Sequence, residues 1–457
     1  MSGTIVALAT PTGRSGIGVV RLSGPDSLAI TRAMVGDSEF TTEPRTAHLR
    51  PLGDPLTDEI VDEAIVTYFK APHSFTGDDV VEISCHGSPV ILRQVIDICL
   101  AQGARMAAAG EFTLRALANG RMNLTEAEAI RDLIEAQTAA SARQAVRQMR
   151  GELSLQLQPL KDDLLNVIVV LESAIEFVED DLPKLQLEQL QASLHRITTE
   201  TRRLADTFKA GHLIREGLKV ALVGRPNAGK SSLFNSLLGT DRAIVTDIAG
   251  TTRDQLYERF TVDDVPILLI DTAGLQETTD TVESIGVERS RATIADADIV
   301  VVVVDASESV TREVREIIES VQNINHIVAL NKTDKISLDA VAEIRSDITN
   351  ANGETTVAVS ALTGSGLEDL KKAILAPFLA IDVSIAGFMV TDARHRDLLL
   401  RAETEMTQSS EHLNQRLSEE IVLLGLHNAL RYLGEITGET TTEDVLTRIF
   451  STFCIGK

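Results

Sequence analysis
The chain has 457 residues, 44% of them hydrophobic and 24% charged, enough for about three domains. Its formal net charge of −24 repels nucleic acid at long range, and with 3% aromatics and no Trp it lacks a stacking platform for single strands, so RNA contact needs a local basic patch or a basic partner. Cys85, Cys99 and Cys454 are too few and too scattered for a disulfide framework or a zinc site, which points to a reducing, cytoplasmic setting.

The opening MSGTIVALATPTGRSG lacks the basic-then-apolar order of a secretory signal. Residues 1–117 read as an α+β domain. Its strand-like runs are TIVALAT, GIGVVRL, EAIVTYF and DVVEISC, and a helical stretch follows in PVILRQVIDICLAQG. From 118 to 214 the period becomes helical, starting with a capping-box pattern at Thr125 and Glu128 and continuing through LKDDLLNVIVVLESAIEF and LEQLQASLHRITTETRRLADTFKAG. Arg143, Arg147 and Arg150 recur at helical spacing there, a stripe that reads first as a solvated face and second as a phosphate track.

Residues 215–378 return to strands and helices in alternation. KVALVG, PILLIDTAG, DIVVVVVDAS, HIVALNKTD and TTVAVSALTG are near-continuous apolar runs, as a parallel sheet covered on both faces requires. Residues 379–457 are helical again, so an α/β domain is expected to be inserted into an all-α helical one. The apolar stretches at 164–177 and 299–304 are too short to span a membrane. The tail FCIGK has Gly456 and Lys457 where a prenylation signal wants aliphatic residues and a different last residue, so no lipid anchor is expected at Cys454.

The chemistry-bearing motifs lie in the α/β region. GRPNAGKSS fits the phosphate-cradling loop, with Asn227, Ala228, Gly229, Lys230, Ser231 and Ser232 as nucleotide contacts. Lys230 suits the β- and γ-phosphates, and the Ser231 hydroxyl suits Mg²⁺. DTAG supplies Asp271, Thr272, Ala273 and Gly274 near the γ-phosphate and its metal. NKTD supplies Asn331, Lys332 and Asp334, an amide and a carboxylate that match guanine's acceptor and donor edges, and Ser360 with Ala361 closes the base pocket. The loop AIVTDIAGTTRD reads as a switch carrying Thr246, Asp247, Ile248, Ala249, Gly250, Thr251 and Thr252, with Thr252, or Thr251 beside it, sensing Mg²⁺ and the γ-phosphate. These motifs in order predict GTP binding.

The residue after DTAG is Leu275, where Ras-like enzymes use Gln to orient the attacking water. Another group has to do this, and Glu277, Asp280, Glu283 and Glu288 are the shortlist.

GRPNAGKSSLFN, AIVTDIAGTTRD, DTAGL, VESIGVERS, NKTD and the terminal CIGK together resemble the MnmE/TrmE family of tRNA modification GTPases. The N-terminal TIVALATPTGRSGIGVVRLSG, SFTGDDVVEISCHGSPVI and GEFTLRALANGRMNLTEAEAI are similar to that family as well, so the resemblance spans the whole chain. It implies a K⁺-stimulated GTPase that works with an FAD-containing MnmG-type partner in an α2β2 assembly. Together they add an aminomethyl or carboxymethylaminomethyl group to C5 of the tRNA wobble uridine from a formyl- or methylene-tetrahydrofolate.

The resemblance assigns residues 1–117 to folate binding and homodimerisation. Asn227, Thr246, Ile248 and Thr251 match its K⁺ ligands, and Glu283 matches its water-orienting carboxylate. Arg21, Glu82, Arg121 and Lys457 match its folate pocket, and Cys454 is placed as a nucleophile or acid/base in the uridine chemistry.

GTPase motifs alone leave a second class open, a GTP-driven RNA-assembly switch with no chemistry of its own. Such switches carry a basic RNA-binding appendage, which this sequence lacks. A membrane remodeller would need a basic lipid-binding helix, also missing.

Overall fold
A computed structural model describes residues 3–40, 43–176, 184–239, 257–270, 297–352, 355–378, 387–439, 446 and 449–456. It contains an α+β sheet domain, helical segments and an inserted α/β domain, as the sequence predicts.

The N-terminal elements are β1 (Ile5–Leu8), β2 (Ser15–Ser23), α1 (Ser27–Val35), β3 (Ala47–Gly53), β4 (Ile60–Phe69), β5 (Val80–Gly87), α2 (Pro89–Ala101) and β6 (Arg105–Met106). They form a sheet in the order β3-β4-β5-β2-β1-β6, with β6 parallel to β1 and the other pairings antiparallel. Alternation along β2 sends Val20 and Leu22 into a core shared with Val66, Ile83, Val95 and Cys99. Arg21 lies between them in sequence and is therefore turned to the opposite face, paired in register with Glu82 of β5. Strand β3 was not among the expected strands because AHLRPLG contains Pro51. It sits at the sheet edge, where a missing N–H removes no interior ladder bond.

The following helices are α3 (Glu111–Ala118), α4 (Leu124–Glu135), α5 (Ala139–Met149), α6 (Glu152–Glu176), α7 (Lys184–Asp206) and α8 (Phe208–Glu216). The capping box of α4 lies two residues before the expected Thr125–Glu128 pair. Asn123 Oδ1 accepts from the Glu126 N–H at 3.0 Å, and the Glu126 carboxylate accepts from the Asn123 N–H at 3.0 Å. Thr125 is fully buried and donates its hydroxyl to Asn123 Oδ1, so it supports the cap rather than forming it.

The α/β domain comprises β7 (Leu218–Val223), α9 (Lys230–Gly239), β8 (Tyr257–Val262), β9 (Val265–Ile270), β10 (Ile299–Asp305), α10 (Arg312–Ser320), β11 (His326–Asn331), α11 (Leu338–Asn352), β12 (Thr356–Ala358) and α12 (Leu367–Leu375). Its sheet order is β12-β11-β10-β7-β9-β8, parallel except for β8 at one edge. The run IVVVVVD is apolar throughout because both faces of β10 are covered. Val301 and Val303 join the core under α9 and α12, while Val300, Val302 and Val304 join the one under α10 and α11.

Helices α13 (Ala393–Asn414) and α14 (Glu419–Thr437) follow. Helix α14 runs antiparallel to α6, tied by Lys161 to Glu439 at one end and by Glu172 to His427 at 3.1 Å near the other. The chain divides into two compact units: Met1–Ile134, Gln148–Leu194 and Glu405–Lys457 form one, and Glu135–Arg147 with His195–Thr404 the other. Among the described residues no helix is long and apolar enough to cross a membrane.

Candidate functional site
The phosphate loop joins the C-terminal end of β7 to α9, where an open parallel sheet places its ligands. Gly229 has φ +92°, and a Cβ there would lie 2.3 Å from Asn331 Nδ2, so no side chain fits. Asn227 is also left-handed, with φ 64° and an exposed side chain. Lys230 opens α9 and folds its ammonium back onto the carbonyls of Gly224 and Arg225, both at 2.9 Å. Ser231 and Ser232 are exposed on the first turn. Backbone N–H groups at a helix start and a cation folded onto neutral carbonyls suit a polyphosphate. The exposed Ser231 hydroxyl is an oxygen donor of the kind Mg²⁺ takes.

The base side is wired to this loop through backbone atoms. Asn331, 1% exposed, donates to the Ala228 carbonyl at 3.0 Å and accepts from the Ala361 N–H at 3.1 Å. Lys332, itself left-handed, donates to the Asn227 carbonyl at 2.8 Å and to Asp305 at 2.5 Å. Burial raises the Asp305 pKa, but the bonds from Lys332 and Ser307 outweigh it and hold the carboxyl below its ordinary value. The Ser360 hydroxyl donates to Asp334 Oδ1 at 2.6 Å, which leaves the carboxylate oriented and still able to accept from a ligand.

Asn227, Ala228, Gly229, Lys230, Asn331, Lys332, Asp334, Ser360 and Ala361 are thus brought together in one corner. Thr246, Asp247, Ile248, Ala249, Gly250, Thr251, Thr252, Asp271, Thr272, Ala273, Gly274 and Glu283 lie outside the described residues, as do Leu275 and the rest of the water-orienting shortlist, Glu277, Asp280 and Glu288. Two residues of the corner were not foreseen. Asp305 had a signal, since it ends a strand of the parallel sheet. Ser236, whose hydroxyl donates to the Ala361 carbonyl at 2.6 Å, had none.

A second constellation lies on the N-terminal sheet. Arg21 Nε and Nη2 both donate to Glu82 Oε1, at 2.9 and 2.7 Å. Phe75 and Phe112 flank the guanidinium at 5.7 and 5.8 Å, two aromatic neighbours that the sequence did not suggest. Arg121 is exposed, with its stem beside Gly77.

The tail comes to the same sheet. Ile455 bridges Ala109, the Cys454 carbonyl accepts from the Gly110 N–H at 3.4 Å, and Phe450 and Phe453 pack with Leu124 and Ala127. Gly456 has φ +100°, and a Cβ there would sit 2.3 Å from the Leu8 carbonyl, so the tail lies directly against the end of β1. Leu8 adjoins Ala7, the register partner of Arg21. Cys454 is exposed, and Lys457 lies outside the described residues.

Beneath the tail, Glu111 receives Arg105 at 2.5 and 2.7 Å and Arg115 at 3.0 Å. Burial pushes its carboxyl up, but these bonds and the Ala108 N–H outweigh that and hold it at about 2. The arginine stripe is partly committed: Arg143 pairs with Asp264 at 3.2 Å.

Comparison with known proteins covers the whole chain. A family described as the GTP-binding protein TrmE N-terminus matches residues 4–121, and one described as the MnmE helical domain matches residues 124–454. The chain is 45% identical over 455 residues to a protein of Aquifex aeolicus named tRNA modification GTPase MnmE, covering 99% of both. It is 44% identical over 457 residues to the protein of the same name from Koribacter versatilis, again with 99% of both covered. Among solved structures, the G domain of the T. maritima FeoB iron transporter is 31% identical over 35% of this chain and 97% of its own, with a TM-score of 0.27.

Proposed function
The chain belongs to the MnmE/TrmE family of tRNA modification GTPases, and from that premise we propose how its two constellations divide the work. It is a GTP hydrolase that takes part in tRNA modification. The nucleotide corner binds and hydrolyses GTP, and the N-terminal face with the docked tail carries the one-carbon chemistry.

At the corner, the loop N–H groups and Lys230 hold the phosphates and oppose the charge that builds up in the transition state. Asp334 accepts from guanine N1–H and the 2-amino group, a donor pair that adenine lacks. Ser231 and Thr252 would hold Mg²⁺. Asn227, Thr246, Ile248 and Thr251 would hold K⁺, which supplies positive charge where other GTPases use an arginine. With Leu275 unable to orient water, Glu283 takes that role through a second water. Replacing Na⁺ by K⁺ should raise the hydrolysis rate steeply, and equal rates in both salts would exclude the cation mechanism.

At the N-terminal face, Glu82 suits the amino edge of a pterin. Both bonds from Arg21 land on Oε1, and Oε2 can still accept from a ligand. The partly exposed ring of Phe75 suits its flat body, while Arg121 and Lys457 suit the glutamate tail. A tetrahydrofolate derivative there would supply the one-carbon unit. The N-terminal domain would also form the homodimer, and the MnmG-type partner would bring FAD. With a charge of −24 on this chain, that partner would contribute much of the tRNA binding.

One observation carries this reading over a pure switch. The tail residues Ile455 and Gly456 are seated on Ala109 and Leu8, which brings Cys454 to the end of β1, the strand paired with that of Arg21. Cys454→Ser should leave GTP hydrolysis intact and abolish wobble-uridine modification, read by mass spectrometry of tRNA nucleosides. Persisting modification would make the thiol structural.

A further inference from the structure
We propose that Ser236 is a positioning residue for guanine recognition, acting on the O6 edge of the base through the Ala361 peptide. The inference rests on the GTP-binding reading above.

Serine and threonine inside helices usually return their hydroxyl to the carbonyl four residues back. Ser173, Thr199 and Thr404 do so here, donating to Val169, His195 and Leu400. Ser236 does not. It reaches a loop 125 residues away and donates to the Ala361 carbonyl at 2.6 Å. The Ala361 N–H is bound in turn by Asn331 Oδ1 at 3.1 Å. The N–H and C=O of one residue belong to consecutive peptide planes, so Ser236 and Asn331 fix two planes of the base turn in succession.

The support behind Ser236 is rigid. It lies six residues after Lys230 on α9, about 9 Å along the axis at 1.5 Å per residue. Leu233, Phe234 and Leu237 of the same helix are buried in the core and prevent it from turning. Helix α9 therefore holds the phosphate lysine at one end and the base turn further along, and sets the spacing between them.

The two edges of guanine depend on different parts of the pocket. The N1–H and 2-amino donors meet Asp334, which is oriented by Ser360. The O6 acceptor is left to the Asn331 amide and the peptide N–H groups of the turn. Both depend on the Ala361 peptide, because Asn331 is itself held in place by the Ala361 N–H. Ser236 should therefore control the reading of O6 and leave the reading of the amino group alone.

The test measures the affinities of the full-length protein for GDP, 6-thio-GDP and IDP. 6-thio-GDP replaces O6 by a weaker, larger acceptor, and IDP lacks only the 2-amino group. Loss of one hydrogen bond in Ser236→Ala should weaken GDP about fivefold. It should weaken 6-thio-GDP less than about twofold, so their ratio shrinks while the GDP-to-IDP ratio stays constant. Ser236→Thr, which keeps the hydroxyl, should restore the GDP preference, and matched thermal unfolding should show that both variants fold. Equal loss for GDP and 6-thio-GDP, no loss for either, or a changed GDP-to-IDP ratio would overturn the inference. A wild-type protein that binds ADP as well as GDP would remove the guanine reading itself, an outcome distinct from a failure of Ser236 alone.

Discussion

The nucleotide corner and the N-terminal face are both built from polar bonds, yet they are wired differently. At the corner, side chains bind backbone: Asn331 to Ala228 and Ala361, Lys332 to Asn227, Ser236 to Ala361. On the N-terminal face, charge binds charge: Arg21 to Glu82, and Arg105 and Arg115 to Glu111. Amide and hydroxyl bonds to backbone do not titrate near neutral pH, whereas a carboxylate held by arginines does so in acid. The backbone wiring of the corner should therefore be insensitive to acid, with the Lys332–Asp305 pair its acid-sensitive link, whereas the Glu111 cluster of the N-terminal face is lost in acid.

The largest effect expected from breaking this contrast is at Asn331. Asn331→Ala leaves the Ala228 carbonyl and the Ala361 N–H without their partner, and each such buried group costs roughly 1–3 kcal/mol. GTP affinity should fall about 100-fold or more. A loss below about tenfold in equilibrium binding would mean that the backbone wiring is dispensable.

Next is Glu111. Its folded carboxyl titrates at about 2, below its ordinary value of 4.5. A depressed carboxylate stabilises the fold above its unfolded pKa, and that contribution is lost as pH falls through the folded one. It should amount to roughly 3 kcal/mol at neutral pH and disappear between about pH 4.5 and 2. Glu111→Gln should show a similar loss already at pH 7. Hydrogen exchange across residues 105–121 reads both, and unchanged protection from pH 7 to pH 3 would remove the charge-built description.

The smallest effect is expected at Gly456. An alanine there costs about 1–2 kcal/mol for its left-handed conformation alone, and its methyl would also have to push away the Leu8 carbonyl. Tail docking should weaken about tenfold, and tRNA modification with it, while GTP hydrolysis is unchanged. Parallel loss of both activities would show that the two constellations are not separable in this way.

The same contrast accounts for what was legible in the sequence. A backbone-wired corner needs particular residue types at fixed spacing, so GRPNAGKSS, NKTD and SAL announced it. The double-sided burial of β10 was equally plain from IVVVVVD. A site assembled by register is silent. Arg21 and Glu82 were named only through family resemblance, because strand pairing sets their meeting and Phe112 arrives from a helix 91 residues further on. The α4 cap was misplaced because Thr125 and Asn123 are both competent caps, and burial of Thr125 decided between them. Ser236 looked like any helix serine, since its bond depends on a turn far away in sequence.

The seat of Ile455 and Gly456 on Ala109 and Leu8 also has a consequence for biosynthesis. A ribosome adding 5–20 residues per second takes roughly twenty seconds to a minute to travel from Ala109 to Gly456. Throughout that interval the N-terminal sheet can form but its last seam stays open. The GTPase corner, whose parts lie between Gly224 and Ala361, is assembled from chain already made. A nascent or truncated polypeptide therefore completes its nucleotide corner before the tail closes on the N-terminal sheet. Closure of that seam reports that translation has passed Gly456.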